Sequence, residues 1–419
     1  MHDRTILVIS GGCFSLTDSN GRVLAKLFDE IPKSRLAQFY TYGVPDFNVC
    51  ERYYRVSDGE ALNSFLHRGS VGGVQEKTAA AVVSGTTSSG RRIAKTPLNM
   101  LLRELVWRFG SWDGKQLTEW IDYVAPFCIF ISVADSAFSL DFCRRIAKER
   151  NIPVILYSTE EYYFKDYNYI TKRKSLLYFL WHKVLKRAYK RLEPFVVQGI
   201  LNTELLAETY QDEFSFPCRA IYQRSDIDWQ ENAAIPDAGE IRVSYLGNLG
   251  LNRHKVLLEI ADCLHDICPQ CKLDVYGKMP ETAKDEFLSS QNINYCGFVS
   301  YEEVVNIIHN SALLVHGEYD DAFYNRDLKY AFSTKITDSV CSGTPFFVYA
   351  PRGLAETDFL DRYGCAFVAH DKEELAKTMK QALSDLTARR MILENAKKVR
   401  ENLFTRQGSL SEVLNEVLA

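Results

Sequence analysis

The chain has 419 residues, too many for one ordinary hydrophobic core and enough for two domains of about 150–220 residues each. A net charge of −4, with 46% hydrophobic and 25% charged residues, describes a soluble globular protein and gives no electrostatic reason to expect a nucleic-acid partner. No apolar run approaches the roughly 20 residues that span a bilayer, and residues 6–9 are too short for the apolar region of a signal peptide. The expected location is therefore the cytoplasm, with any membrane contact peripheral and at the inner face. Eleven cysteines are scattered. Cys268 and Cys271 form the one CxxC, but Pro269 lies inside it and no second pair exists. They read as buried reduced thiols rather than as a zinc site.

In chain order, residues 4–9 form an apolar strand followed at once by Ser10, Gly11 and Gly12. Residues from Asn20 onward then carry Val23, Leu24, Leu27 and Phe28 on one helical face. Strand, glycine turn and helix open a Rossmann-like half, with Gly11 and Gly12 letting a ligand approach the backbone. The GxGxxG spacing of a dinucleotide site is missing. A second strand is expected over 36–41, and a long loop over 68–95, rich in Gly, Ser, Thr and Ala. Residues 97–109 read as an amphipathic helix with Leu98, Leu101, Leu102, Leu105, Val106 and Phe109 on its apolar side. Another helix is bracketed by Trp112 and Trp120. Strands at 128–133 and 153–157 follow, separated by a helix over 142–149. Asp135, Glu160 and Glu161 come just after strand ends, where open α/β sheets collect ligands, and they are the candidate acceptor-side groups. Residues 171–191 hold eight Lys/Arg and no acid. Such a helix more often packs on the sheet and shows its basic face to water. The alternative is an interfacial helix on anionic lipid.

Residues 226–239 are polar, contain Pro236 and lack any period, which marks a linker. It separates a first domain, 1–225, from a second, 240–403, and residues 404–419 are expected to return to the first. The second half repeats the opening pattern: a strand over 241–246, a glycine turn from Gly247 to Arg253, and a helix over 254–267. Further strands are read at 272–276, 293–295, 312–315 and 345–349, and helices at 373–383, 388–403 and 409–418. Short apolar strands alternating with helices specify a parallel, doubly wound sheet.

The most informative stretch is 332–349. Ser333 suits a helix N-cap, so the first-turn amides would face outward and favour an anion. Lys335 adds a positive charge there, and Asp338, one turn on, could accept hydrogen bonds from a sugar hydroxyl. Gly343 and Pro345 end the helix before an apolar strand. Lys335, Asp338, Gly343 and Pro345 together resemble the donor motif of the large retaining, "group 1" GT-B glycosyltransferases, the relatives of glycogen synthase and sucrose synthase. The resemblance extends to three earlier features in the same order. These are the turn with Gly247 and Gly250, the strand end Tyr276-Gly277, and the segment from Gly297 through Phe298 and Val299 to Ser300.

The resemblance implies an α/β protein of two Rossmann-like doubly wound domains facing a cleft. It implies transfer of a sugar, with retention, from a nucleoside-diphosphate sugar to a glycan, lipid-linked or other acceptor. Lys335, Arg253 and Glu318 would be the catalytic groups. Gly247, Asn248, Lys255, Tyr276, Gly277, Phe298, Val299, Ser333, Thr334 and Asp338 would bind the donor, and no cofactor or essential metal ion is implied. The sequence departs from the family pattern twice. Asn248 stands where an arginine is common, leaving Arg253 or Lys255 to supply the second phosphate charge. Tyr330 stands eight residues before Asp338 where a glutamate is usual, leaving Glu318, Asp320 or Asp321 to contact the donor sugar. These departures keep open a non-catalytic nucleotide-binding subunit of the same shape and, more remotely, a sugar-nucleotide epimerase.

Overall fold

The computed structural model describes residues 4–16, 19–67, 69, 71–76, 94–235, 241–404 and 409–417. The chain divides into two units, residues 1–221 with 408–419, and residues 222–407.

The first unit is built on eight strands: β1 Thr5–Gly12, β2 Leu36–Tyr42, β3 Arg52–Arg55, β4 Gly73–Gln75, β5 Pro126–Ser132, β6 Val154–Ser158, β7 Val196–Leu201 and β8 Cys218–Ala220. Their spatial order is β4-β3-β2-β1-β5-β6-β7-β8. All neighbours are parallel except β3 and β4. Parallel strands covered on both faces need continuous apolar runs, which is what Ile6–Ile9 and Val154–Tyr157 supply. On one face Ile6, Val8, Phe28, Phe130 and Ile155 form a core that also takes in Leu410, Val413 and Leu414 from the helix Leu410–Val417.

Gly11 and Gly12 do not form the expected turn. They continue β1, and Gly12 pairs with Tyr42 of β2. A Cβ at either glycine would come within 3.3 Å of the Tyr42 ring, so the missing side chains make room for that ring. Most of the loop read over 68–95 lies outside the described residues; within it, Gly73–Gln75 is the short edge strand β4.

Glu104, inside the helix Pro97–Phe109, is buried and accepts from the Ala137 and Phe138 amides at 2.8 Å each, capping the helix Ala137–Arg150. Burial pushes its pKa up to about 7 in spite of those bonds. A carboxyl whose folded pKa is raised contributes stability below its unfolded pKa and loses it as pH rises through the folded one. Glu104→Gln should therefore flatten the loss of stability between about pH 4.5 and 7, read by denaturant unfolding. An unchanged pH slope would show that Glu104 titrates normally.

The second unit carries β9 Val243–Leu246, β10 Leu273–Tyr276, β11 Ile293–Gly297, β12 Leu313–Gly317, β13 Phe346–Tyr349 and β14 Phe367–Ala369, in the order β11-β10-β9-β12-β13-β14. Every neighbouring pair is parallel. Residues ahead of β9 are tied to this unit by backbone bonds from Gln230 N to Ser342 O and from Asn232 N to Gly343 O, each 2.8 Å. The buried Arg389 guanidinium donates to the carbonyls of Ala233, Ala234, Ala312 and Ala382. It thus satisfies four carbonyls that would otherwise be short of donors in the interior. Cys268 and Cys271, read above as reduced thiols, are paired as a disulfide; the turn after the helix Arg253–Ile267 brings their Cα atoms to 5.4 Å, within bridging range. Among the described residues, no helix is long and apolar enough to cross a membrane.

Candidate donor site

Parallel strands put all their carboxyl ends on one edge of a sheet, and in the second unit that edge gathers the residues singled out in the sequence. Gly247 and Asn248 follow β9, Tyr276 ends β10 with Gly277 next, Gly297 ends β11 with Phe298 and Val299 next, and Glu318 follows β12. The backbone there is tightly interlocked: Gly247 N donates to Tyr276 O, and Gly277 N to Gly297 O, both at 2.8 Å. Gly277 has φ +148°, and a Cβ on it would lie 1.7 Å from Gly247 O. Only glycine fits.

The helix Thr334–Ser342 meets this edge with its N-terminus. Ser333 caps it by accepting from Lys335 N, and Gly343 ends it at φ +83°. A Cβ on Gly247 would sit 2.9 Å from Lys335 Cε and 3.0 Å from its Nζ. The absent side chain at Gly247 is thus what lets the lysine lie over the β9 turn. Burial, and after it the Arg253 charge, lowers the Lys335 pKa, as expected for an ammonium poorly hydrated and next to a like charge. Asp338 Oδ1 accepts from Ser225 Oγ at 2.5 Å, so Ser225 fixes the rotamer of the expected ribose-binding acid. Phe298 is exposed, with Lys278 Nζ 5.3 Å from its ring centre. Lys255 Nζ lies 5.2 Å from the Tyr319 ring.

Glu318 is not a free carboxylate on the strand-end loop. It is 2% exposed and accepts from both Nε (2.9 Å) and Nη2 of Arg253 through Oε1. His316 Nε2 lies 3.2 Å from that oxygen and 3.5 Å from Glu356 Oε1, while the His316 ring stacks on Tyr245 at 15°. Burial alone would raise the Glu318 pKa and lower that of His316. Their mutual contact, reinforced by Arg253 and Glu356, reverses both directions, so Glu318 is held below and His316 above its ordinary value. His316, Glu318 and Glu356 lie close enough to share a metal ion. The surroundings do not suit one: Arg253 already neutralises Glu318, and the Lys335 charge is close enough to couple to both glutamates. Asp320 accepts from Asn325, and Asp321 caps the helix Ala322–Leu328, so both are engaged locally. The sequence did not single out His316, Glu356 or Ser225. Glu356 stands in a different helix from any motif, Ala355–Tyr363, and has no spacing signal to reveal it.

In the first unit, Asp135 follows β5, and Glu160 and Glu161 follow β6. Asp135 accepts from Tyr169 Oη at 2.9 Å and pairs with Lys95 at 2.5 Å. Burial would raise its pKa, but these partners hold it below the usual carboxylate range. Glu160 is bound by the Tyr162 hydroxyl, and the Tyr162 and Tyr169 rings are 6.0 Å apart, which joins Asp135 and Glu160 through one aromatic pair. Glu161 faces inward, accepts from Phe164 N, and is pushed up to about 7 by burial. Gly11 and Gly12 are occupied by Tyr42, as described above.

Residues 229–399 match the family model of glycosyl transferases group 1, which spans most of the second unit. That unit is a group 1 glycosyltransferase domain. The whole chain has the GT-B fold, to which solved structures are similar over 98–99% of its length. The chain is similar to HepE of Anabaena, solved with UDP and glucose, at 11% identity and TM-score 0.58, covering 99% of this chain and 100% of that one. It is similar to WaaG, a glycosyltransferase involved in lipopolysaccharide biosynthesis, at 10% identity and TM-score 0.53, covering 98% and 99%. The trehalose-phosphate synthase of Burkholderia xenovorans, solved with glucose-6-phosphate, gives 8% identity and TM-score 0.58, covering 99% and 100%. At such identities these likenesses establish the fold alone. No curated protein sequence matches the chain.

Proposed function

We propose that this glycosyltransferase takes its sugar from a nucleoside-diphosphate donor bound at the carboxyl edge of the second sheet, and transfers it with retention to a glycan or lipid-linked acceptor. The observation that carries the donor reading is the seat of Lys335, at a capped helix N-terminus and against a glycine turn. A diphosphate there meets the first-turn amides, the helix dipole and a full charge together. Group transfer of this kind needs mainly positioning and stabilisation of the negative charge that grows on the leaving diphosphate. Lys335 supplies that charge, and Arg253, held by Glu318, supports it from the adjoining helix start. Asp338, held by Ser225, takes the ribose hydroxyls. Phe298 and Val299, beyond Gly297, frame the base. Glu318 anchors Arg253 rather than contacting the sugar, and in this reading no metal ion takes part. The HepE complex with UDP and glucose supports a uridine donor as the first to try. Asp135, Glu160 and Glu161 are the acceptor-side candidates of the first unit, and the basic segment 171–191 is a candidate contact with anionic membrane.

Thermal shift with nucleoside diphosphates tests the donor reading. A ligand that binds only the folded state stabilises it by about 2.7 kcal/mol at a hundredfold excess over Kd. UDP should raise the melting temperature in the presence of chelator. A shift that appears only with added divalent metal would overturn the metal-free reading, and no shift with any nucleoside diphosphate would leave a GT-B chain without donor binding.

A further inference from the structure

The helix Pro97–Phe109 is amphipathic in the opposite sense from the usual one. Its buried residues include Glu104, which caps a neighbouring helix, and Trp107, whose ring stacks on Phe138 at 4.0 Å and whose Nε1 donates to Asp58 at 2.7 Å. Its outward stripe is Leu98, Leu102, Leu105 and Phe109, at the 4-3-4 spacing of one helical face. Phe109 is 64% exposed. This helix packs between the helices Asp58–His67 and Leu176–Leu192, and both show the same feature. The first exposes Leu62, Phe65 and Leu66. The second exposes Leu176, at 72%, with Leu177, Phe179 and Leu180. Three neighbouring helices with large apolar side chains outward are far more than the scattered exposed hydrophobics of an ordinary surface.

On and beside these helices, the exposed charged side chains that make no ion pair among the described residues are basic. Arg173 and Lys174 precede the third helix, and Lys183 and Arg187 continue its outward face; among the described residues these four make no ion pair. The three helices contain three acids, and none is available to a basic partner. Asp58 is bound by Arg103 and Trp107, Glu60 by Arg55 and the Ser57 turn, and Glu104 is buried.

We propose that these three helices form a docking surface for an anionic lipid bilayer. The leucine and phenylalanine side chains enter the headgroup boundary, while Arg173, Lys174, Lys183 and Arg187 meet lipid phosphates. The surface is wider than the basic segment read from the sequence, because two helices without basic runs contribute most of its apolar side chains. It deepens the acceptor side of the glycosyltransferase reading and rests on it only for its meaning: a transferase held at a membrane reaches lipid-linked acceptors. Binding itself needs no donor.

Sedimentation of the full-length protein with phosphatidylcholine vesicles, with and without phosphatidylglycerol, tests this, and UDP thermal shift on the same samples reports the donor site separately. Wild type should pellet with anionic vesicles, and raised salt should release it. Lys183→Glu with Arg187→Glu should weaken binding about twentyfold or more, since each Lys or Arg near an anionic surface strengthens binding roughly fivefold. Leu102→Ser with Leu105→Ser and Phe109→Ser should weaken it comparably. Both variants change exposed positions, so melting temperature and UDP response should match wild type. Equal binding to neutral vesicles would overturn the anionic surface. Failure to bind any vesicle would overturn it too, and a change in oligomeric state in the serine variant would then assign the face to a second copy of the chain. Loss of the UDP shift with vesicle binding intact would count against the donor reading and leave the docking surface standing.

Discussion

Lys335→Ala should lower turnover by about a hundredfold to a thousandfold, the cost of removing one preorganised group that stabilises charge in a transition state. The lysine lies against Gly247 at a Ser333-capped helix start, where first-turn amides favour an anion. Its depressed pKa reflects burial and the nearby Arg253. A group placed beside a like charge is stabilised when an anion arrives, so nucleoside-diphosphate affinity should fall together with turnover. The fold should persist, because deleting the ammonium relieves a like-charge contact and leaves no carboxylate unpaired: Glu318 keeps Arg253 and His316, and Asp338 keeps Ser225. Lys335→Met, which retains most of the stem, separates lost charge from lost packing. The measurements are release of nucleoside diphosphate at saturating donor and calorimetric binding. A Kd for UDP within threefold of wild type would remove Lys335 from the site, and with it the assignment of Ser333, Thr334 and Asp338.

Glu318→Ala should destabilise the protein by about 3–5 kcal/mol, the penalty for leaving one member of a buried ion pair without its partner. Arg253 would lose the acceptor of two of its N–H groups, and His316 would lose one of its two carboxylates. Urea unfolding checks this; a loss under 1 kcal/mol would mean that Arg253 finds solvent once released. The pH dependence has a definite sign. The lowered pKa of Glu318 contributes stability above the unfolded value, and that stability is lost as pH falls through the folded one. The raised pKa of His316 contributes below its unfolded value, lost as pH rises through the folded one. Both contributions are complete only between about pH 4.5 and 6.5, the two unfolded values. In the variant that window of added stability should shrink. Donor affinity should also weaken, since Arg253 would no longer be held at the start of its helix.

Short-range patterns read correctly where their physics is local. The alternation of apolar runs with helical periods specified parallel α/β sheets, because a strand buried on both faces must be apolar throughout. The segment from Ser333 to Pro345 specified a capped helix and its end, because capping, the left-handed Gly343 and the proline stop act within one or two turns. Gly277 and Gly297 marked strand ends where backbones converge. Gly11 and Gly12 misled for the same reason that glycine is informative elsewhere: a missing side chain serves a close approach as well as a turn, and here the approaching group is the Tyr42 ring.

What the tertiary structure decided is which local possibility each residue fulfils. Arg253, the His316–Glu318 end of β12 and Glu356 come from three separate elements, and only sheet order brings β12 beside β9 and the helix start that follows it. No sequence interval encodes that meeting, so the loop acid expected to face a sugar became a buried counter-ion. The period of residues 97–109 determined an amphipathic helix but could not say which face turns inward. That choice fell to Trp107 and Glu104, because a helix N-terminus and the Phe138 ring stand ready for them. The leucine stripe was left outside, since periodicity fixes the angle between two faces, while burial depends on what each face meets.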